Sequence, residues 1–449
     1  MGVEKILWFA CLAVPPAVVL AAYAFGLRGR RFYFSAVACA SLLVPISSIP
    51  LALELTRATT PHFGVLPIVL IPFAAFLWFL AVIVTPSGRI SEAGVARTAA
   101  ACLLEMAAFA IVAPVPLALA WIATSAILLA GHLDAEFAEA KRIIYAYLGL
   151  SVVLLTAGLI LASWARGRDA VLEQCGIALI LLAVMIRKGI FPFHSWIPEI
   201  FEHGRIGPAA RFNAPQIGTY AALVLAVPYA DAGLMKVFAA LALVTAVYGS
   251  LMAFYQNEAR KACGYLFVSQ SALVVAGLDI PGRGALVGAL ILWICSGVAL
   301  AGLSRAVLSL EARRGRLRLD IHHGGYERMP LLAVCFLLMS LAVANFPGTL
   351  GFIGGEMLVR GAVDFFPSLG FFAIIATAVN GLAAIRMYFS LFCGKKDDGA
   401  HLKTSRAENL GFAAAALFLI GFGLAPGGLA KIFSRAETAA TRVEGALPR

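Results

Sequence analysis

The chain alternates apolar runs with short polar connections almost from end to end, and each run is near the length a helix needs to cross a bilayer. Such runs fall near residues 5–27, 33–55, 63–85, 98–113, 115–131, 143–164, 170–193, 209–229, 234–256, 262–278, 284–309, 329–346, 367–393 and 409–429. About fourteen transmembrane helices are expected. The fourth and fifth runs are short and separated by Pro114 and Pro116, so one kinked helix is the competing reading. Two segments interrupt the apolar texture: Ile186 to Phe201 (IRKGIFPFHSWIPEIF) and Ala344 to Arg360 (ANFPGTLGFIGGEMLVR). Both set Phe-Pro and charge within or beside apolar sequence. Proline removes a backbone donor and glycine permits non-helical angles. Two discontinuous helices are therefore expected, broken around Pro192 and around Pro347, Gly348 and Gly351; loops lying at the membrane surface are the alternative.

Composition agrees with the pattern. The 449 residues are 61% hydrophobic and 13% charged, with a mean hydropathy of +0.92, which no water-soluble core and surface can accommodate. The fold class expected is an all-α integral membrane protein, with residues 1–449 forming a single membrane domain. The first run lacks a small-residue cleavage site and is expected to be retained. Eight cysteines are scattered without a CxxC pair, so neither a metal site nor a disulfide framework is expected.

A net charge of +11 can indicate nucleic acid, but the basic residues lie mostly in the short connections. They concentrate in alternate ones: Arg28, Arg30 and Arg31; Arg89 and Arg97; Lys141 and Arg142; Arg205 and Arg211; Arg260 and Lys261; the Arg313 to Arg328 cluster; and Lys395 to Arg406. The intervening connections hold far fewer, chiefly Arg57, Arg166, Arg168, Lys236, Arg283 and Arg360. Membrane topology explains this distribution, so the bilayer is the expected partner and nucleic acid is not. The bias places both termini of a multi-pass chain away from the cytoplasm, in the cell inner (plasma) membrane.

Ionisable residues inside spans are costly in lipid, so each is a functional candidate. Glu105 lies in the fourth run and needs a partner, a wet cavity or a proton. Arg187 and Lys188 end the seventh; lysine can exchange its proton, whereas arginine keeps its charge as a fixed field or anchor. Both snorkelling to the interface is the alternative. His194 could relay protons, biased by Glu199 or Glu202. Glu356 follows Gly354-Gly355 at the second break, and Arg386 on the next helix is its expected counter-charge. There is no P-loop, dinucleotide fingerprint, HExxH or GxSxG, so no cofactor of its own is expected. Such a chain transports, or supports something that does.

Several stretches then resemble one family, the antiporter-like proton-channel subunits of respiratory complex I, membrane-bound hydrogenases and multisubunit sodium/proton antiporters. Phe191-Pro192-Phe193-His194-Ser195-Trp196-Ile197-Pro198 resembles the family's P-(F/L)-H-x-W-L-P segment. Glu258-Ala259-Arg260-Lys261 with Tyr265, Ser269 and Gln270 resembles its D-x-K-R-x-x-A-Y-S-S-x-S-Q stretch. Gly324-Gly325 to Met329-Pro330, Phe346-Pro347-Gly348-Thr349 with Gly351-Phe352, and Arg386-Met387-Tyr388 with Phe392 follow in the family's order. The resemblance implies fourteen helices with two inverted repeats, here 98–229 and 234–394, followed by a terminal helix and tail, 409–449. It further implies a non-catalytic membrane subunit of an NADH:quinone oxidoreductase-like or hydrogenase-like complex, partnered by other membrane and peripheral subunits and moving protons or sodium.

The family's charged route is altered here. Its Trp-Glu pair on helix five corresponds to Trp121-Ile122, its helix-seven lysine to Arg187, its helix-eight lysine to Gln216, and its broken-helix carboxylate to Gly355. Val287 to Ser304 carries no charge where the family keeps a histidine and a lysine. Two readings follow: a rerouted path through Glu105, Lys188, His194 and Glu356, or a membrane scaffold with an incomplete path, for example in an inorganic-carbon uptake complex.

Overall fold

A computed structural model describes residues 3–56, 65–86, 91–110, 113–132, 138–280, 283–365, 367–394 and 403–434. These residues are helical throughout, apart from one isolated bridge between Glu258 and Arg318. In chain order the helices are α1 (Val3–Ala24), α2 (Gly29–Thr56), α3 (Val65–Ile83), α4 (Glu92–Ala110), α5 (Pro114–Ala130), α6 (Ala138–Ala165), α7 (Ala170–Lys188), α8 (Trp196–His203) and α9 (Ile206–Asn213). Then follow α10 (Ile217–Ala221), which runs into a π-helical stretch, Ala222–Ala226, and α11 (Ala232–Tyr255), α12 (Ala259–Asp279), α13 (Arg283–Arg314), α14 (Pro330–Val343), α15 (Leu350–Phe365), α16 (Pro367–Phe392) and α17 (Arg406–Leu424).

Ten helices among the described residues are long and apolar enough to cross a membrane, and three shorter apolar helices accompany them. With α9 and α10 taken as one interrupted crossing, and α15 as the continuation of α14 past its break, the architecture is the fourteen-span bundle expected. α4 and α5 are separate helices. Pro114 and Pro116 open α5 rather than kink a longer helix, since a proline in the first turn forfeits no helical hydrogen bond.

The bundle closes around α12 and α13, whose apolar windows are almost wholly enclosed by the other helices. Small residues permit this: a methyl group at Gly288 would overlap the backbone of Leu358, so α13 and α15 meet backbone to backbone. By contrast α6 turns Tyr145, Val153, Ile160 and Trp164 outward, as a helix bathed in lipid does.

Several helices begin earlier or run longer than the apolar runs because charged residues continue them, α4, α6, α13 and α17 among them. α4 starts at Glu92, which accepts from the Gly29 backbone N–H (2.6 Å) and faces Arg28 (3.2 Å). Arg97, read from the sequence as a connection charge, is on this helix and donates to the Ala130 carbonyl (2.9 Å). Arg57, Arg89, Lys395 and Lys396 lie outside the described residues, as does the tail beyond residue 434.

α17 is tied to α13 by charge. Ser405 and Glu408 form a capping box, and Arg313 grips Glu408 with Nη1 and Nη2 at 3.0 and 2.6 Å. Ser309 donates to the same carboxylate at 2.7 Å. Removing one member of a buried pair strands the other. Glu408→Ala is expected to lower stability by about 3 kcal/mol, measured as thermal unfolding in detergent. A midpoint equal to that of the unaltered protein would show the clamp to be idle.

Candidate functional site

The first half of the bundle holds an internal chain of charge. Glu105, on α4, and Arg211, on α9, are only 2% and 5% exposed. Arg211 donates from Nη1 to Oε1 at 2.7 Å and from Nη2 to Oε2 at 2.5 Å, a parallel fork-to-carboxylate pair. The local sequence sets this up. Pro215 and the left-handed Gln216 (φ 55°) end α9 after two turns, so the chain restarts as α10 with α9 tucked inward. Trp293 holds the interruption by donating to the Pro215 carbonyl at 3.0 Å, and Gln216 donates to Ser296 at 3.2 Å. Arg211 had been grouped with the cytoplasmic charges. That reading is corrected: it is the buried partner that Glu105 requires.

Arg187 and Lys188 are both buried, so neither snorkels. One residue turns a helix by about 100°, and the two side chains part accordingly. Arg187 reaches α5, donating to Ser125 Oγ (2.9 Å), Thr124 Oγ1 (2.8 Å) and the Trp121 carbonyl (3.2 Å). Its guanidinium also lies 4.4 Å from the ring centres of both Trp121 and Phe212. Lys188 lays its stem against Gly218 of α10, which the Arg187 Cδ also approaches, and no protein hydrogen bond holds its ammonium among the described residues. Ile122, at the family's carboxylate position, is 40% exposed and takes no part.

Below Lys188 the helix stops. Gly189 is left-handed (φ 65°), Ile190 N–H donates back to Met185 at 2.8 Å, and the Phe191–Pro192 peptide is cis. Thr245 accepts from Phe191 N–H at 2.9 Å, while Trp196 donates to the Ile186 carbonyl at 2.7 Å, so the break is braced from both sides. His194 sits here, half-buried, its ring edge-on to Tyr248 at 4.6 Å, with Nδ1 unpartnered. Burial pulls its basicity down. Glu199 and Glu202 do not bias it; both face Lys261, at 3.4 and 2.5 Å, and His203. Glu199, Glu202 and His203 are also spaced as metal ligands, but the Lys261 ammonium already pairs with both carboxylates.

The second break is present as expected. Asn345 and Gly348 are left-handed (φ 54° and 89°), Pro347 lies between them, and any side chain at Gly351 would strike the Ala342 carbonyl. Its charges are not where the sequence suggested. Glu356 pairs with Arg360 one turn along α15 at 2.5 Å, on the outer face. Arg386 instead caps the end of α11, donating to the Phe254 and Gln256 carbonyls. The expected Glu356–Arg386 pair does not exist, because those helices present the two side chains to different surroundings.

Around its break the second half buries amides and hydroxyls: Asn380 donates to Ser269 (2.8 Å) and Gln270 to the Val343 carbonyl (3.2 Å). In the first half Thr219 donates to Gln216 (3.0 Å). One carboxylate that the sequence does not single out, Asp279 at the end of α12, is fully buried, with both oxygens unpartnered among the described residues. Its position at the foot of a run ending at 278 disguised it as a connection residue.

A cleft of about 600 Å³, open at its mouth, runs between α3, α4, α9 and α13. Its inner wall (Gly94, Arg97, Thr98, Pro208) is shared with a small cavity that touches Glu105, Thr124 and Arg211. Water entering the cleft can therefore approach the buried pair. The turn after α5 pins the cleft: His132 Nδ1 lies 2.9 Å from the Leu128 carbonyl, and its Nε2 accepts the Arg205 N–H at 2.9 Å. That geometry needs a neutral ring, and burial lowers its basicity to match. Protons then bind the opened state more readily than the native one, so stability is lost as pH falls through about 6.5. Unfolding midpoints across pH 5–8 should show this fall, and His132→Gln should flatten it; an equally steep fall in the variant refutes the assignment.

A family model described as NADH:quinone oxidoreductase/Mrp antiporter, transmembrane, matches residues 140–380. Subunit 13 of NADH-quinone oxidoreductase from Thermus thermophilus is 28% identical over 261 residues, 56% of this chain, and the match spans 54% of that relative, about half its length. A chain of Thermus thermophilus respiratory complex I, solved with bound NADH, superposes with a TM-score of 0.84 at 21% identity, covering 97% of this chain and 99% of that one. A chain of the Mrp complex from Dietzia sp. gives 0.85 at 15% identity over the whole of both. These two likenesses show the shared fold, and the family match takes in α7, both helix breaks and Gln216. Interrupted helices, a buried charged chain and the matched sequence together make this multi-pass membrane protein a member of the NADH:quinone oxidoreductase/Mrp antiporter transmembrane family.

Proposed function

We propose that the chain is a proton-translocating, or sodium-translocating, membrane subunit of a multisubunit energy-converting complex. The observation that carries this reading is the water-approachable chain formed by Glu105, Arg211, Arg187 and Lys188 inside the bundle. Charge is placed in a membrane interior at considerable cost, and it is kept where ions or protons move. Two repeats, 98–229 and 234–394, each containing one broken helix, organise the path, with both termini on the non-cytoplasmic side. From Gln216 near the end of the first repeat, Gln270, Asn345 and Asn380 continue it through the second as groups that orient water without holding charge.

Reconstituted into vesicles, the purified complex is expected to carry protons or sodium when its partner module turns over. Recovery from native membranes as a lone chain that conducts neither ion would end this reading.

The second break, whose Glu356 turns outward to Arg360, favours one other reading, a membrane scaffold for a partner module. It requires an intact, active complex whose vesicles leak no faster than empty ones.

A further inference from the structure

The cleft is lined by Arg97, Arg205, Arg260, Arg305 and Arg316, and by one carboxylate, Glu311. That imbalance differs from an ordinary basic connection, because its key member is inside the bundle. Arg305 lies more than two turns before the end of α13 and is 5% exposed. Its Nη1 donates to the Ala81 carbonyl and to Thr85 Oγ1, both at 2.9 Å. Both acceptors are neutral. Its Nε and Nη2 find no protein partner among the described residues. Glu311 pairs with Arg260 through Oε2 at 2.5 Å, and its Oε1 makes no hydrogen bond to Arg305 or to any other group among the described residues. Beyond Arg305, Arg211 is already committed to Glu105. At the mouth Arg316 donates, among the described residues, only to the Glu202 carbonyl, at 2.7 Å.

A guanidinium withdrawn from water without a counter-ion is strongly unfavourable, and the cleft has room for an anion beside it. We propose that this cleft is a binding site for a phosphate-bearing anion, held by the free fork of Arg305 and by Arg316. Phosphate suits the site because its oxygens accept several charge-assisted bonds at once in the planar geometry a guanidinium offers. Two sources share that chemistry, an anionic lipid headgroup entering between membrane helices and free phosphate from solution. The inference does not depend on ion translocation, since it concerns occupancy of the cleft rather than flux through it.

The test uses the full chain in phosphatidylcholine nanodiscs, with thermal unfolding and native mass spectrometry as readouts. In one arm inorganic phosphate is titrated against a chloride control of equal ionic strength; in the other, part of the phosphatidylcholine is replaced by phosphatidylglycerol. A phosphate-specific rise in midpoint identifies the free anion. Retained phosphatidylglycerol together with a rise confined to the second arm identifies the lipid. In either arm Arg305→Gln is expected to weaken the apparent affinity by about tenfold or more. Arg316→Gln, at the mouth, gives a milder loss should the buried variant fold poorly, and Arg318→Gln, outside the cleft, leaves binding unchanged. The proposal is overturned if neither anion stabilises the protein beyond chloride, or if Arg316→Gln and a folded Arg305→Gln both bind as the unaltered chain does.

Discussion

Replacing Arg211 by methionine is expected to abolish ion flux and also to destabilise the bundle, because Glu105 is left with no partner in the membrane interior. Stranding one member of a buried ion pair costs about 3–5 kcal/mol, enough to lower the yield of folded protein. Glu105→Gln is milder, since a neutral amide still accepts one of the two guanidinium bonds. The double variant Glu105→Leu/Arg211→Met separates the two roles: an apolar pair of similar bulk recovers stability that either single change loses. Flux is not recovered, because the carboxylate that lines the small inner cavity is gone. The measurements are a double-mutant cycle in thermal unfolding and proton uptake by vesicles containing the complex. A double variant that conducts like the unaltered protein would remove the pair from the path, and additive stability losses would show the two residues to be uncoupled.

The bundle itself was legible because lipid imposes long apolar runs and because proline and glycine mark interruptions whatever surrounds them. Both breaks fall where the sequence placed them, at Pro192 and at Pro347-Gly348. Pairing was the harder matter. Arg211 sits between Pro208 and Pro215 in a segment that reads equally as loop or as short helix, and a count of basic residues naturally assigned it to the cytoplasm. Only the inward tuck of α9 brings it to Glu105, 106 positions earlier in the chain. Glu356 and Arg386 show the opposite failure. Glu356 follows the second break and Arg386 lies on the next helix, but helix rotation sends one to Arg360 and the other to the carbonyls ending α11. Sequence distance fixes which turn of a helix a charge occupies; the neighbour it meets depends on azimuth, which apolar runs enclosed on every side leave undetermined.

The one-residue offset at the end of α7 has a functional consequence that can be tested directly. Arg187 occupies the family's lysine position yet is fully bound to α5, so it acts as a fixed charge, whereas Lys188 stands free against α10. Lysine can hand on its proton and arginine holds it. Lys188→Ala is therefore expected to reduce proton flux by about tenfold or more, a barrier increase of about 1.4 kcal/mol, while leaving the complex assembled. Lys188→Arg should fail equally, because a permanent charge cannot relay and the stem contact with Gly218 leaves little room for a guanidinium. Arg187→Lys is the informative contrast: it keeps the charge but loses the fork that binds Thr124 and Ser125 together. Its main effect should be on stability, with flux partly retained. Flux unchanged in Lys188→Ala, or flux preserved in Lys188→Arg, would mean that Lys188 carries no proton and that the route leaves Glu105 by another way.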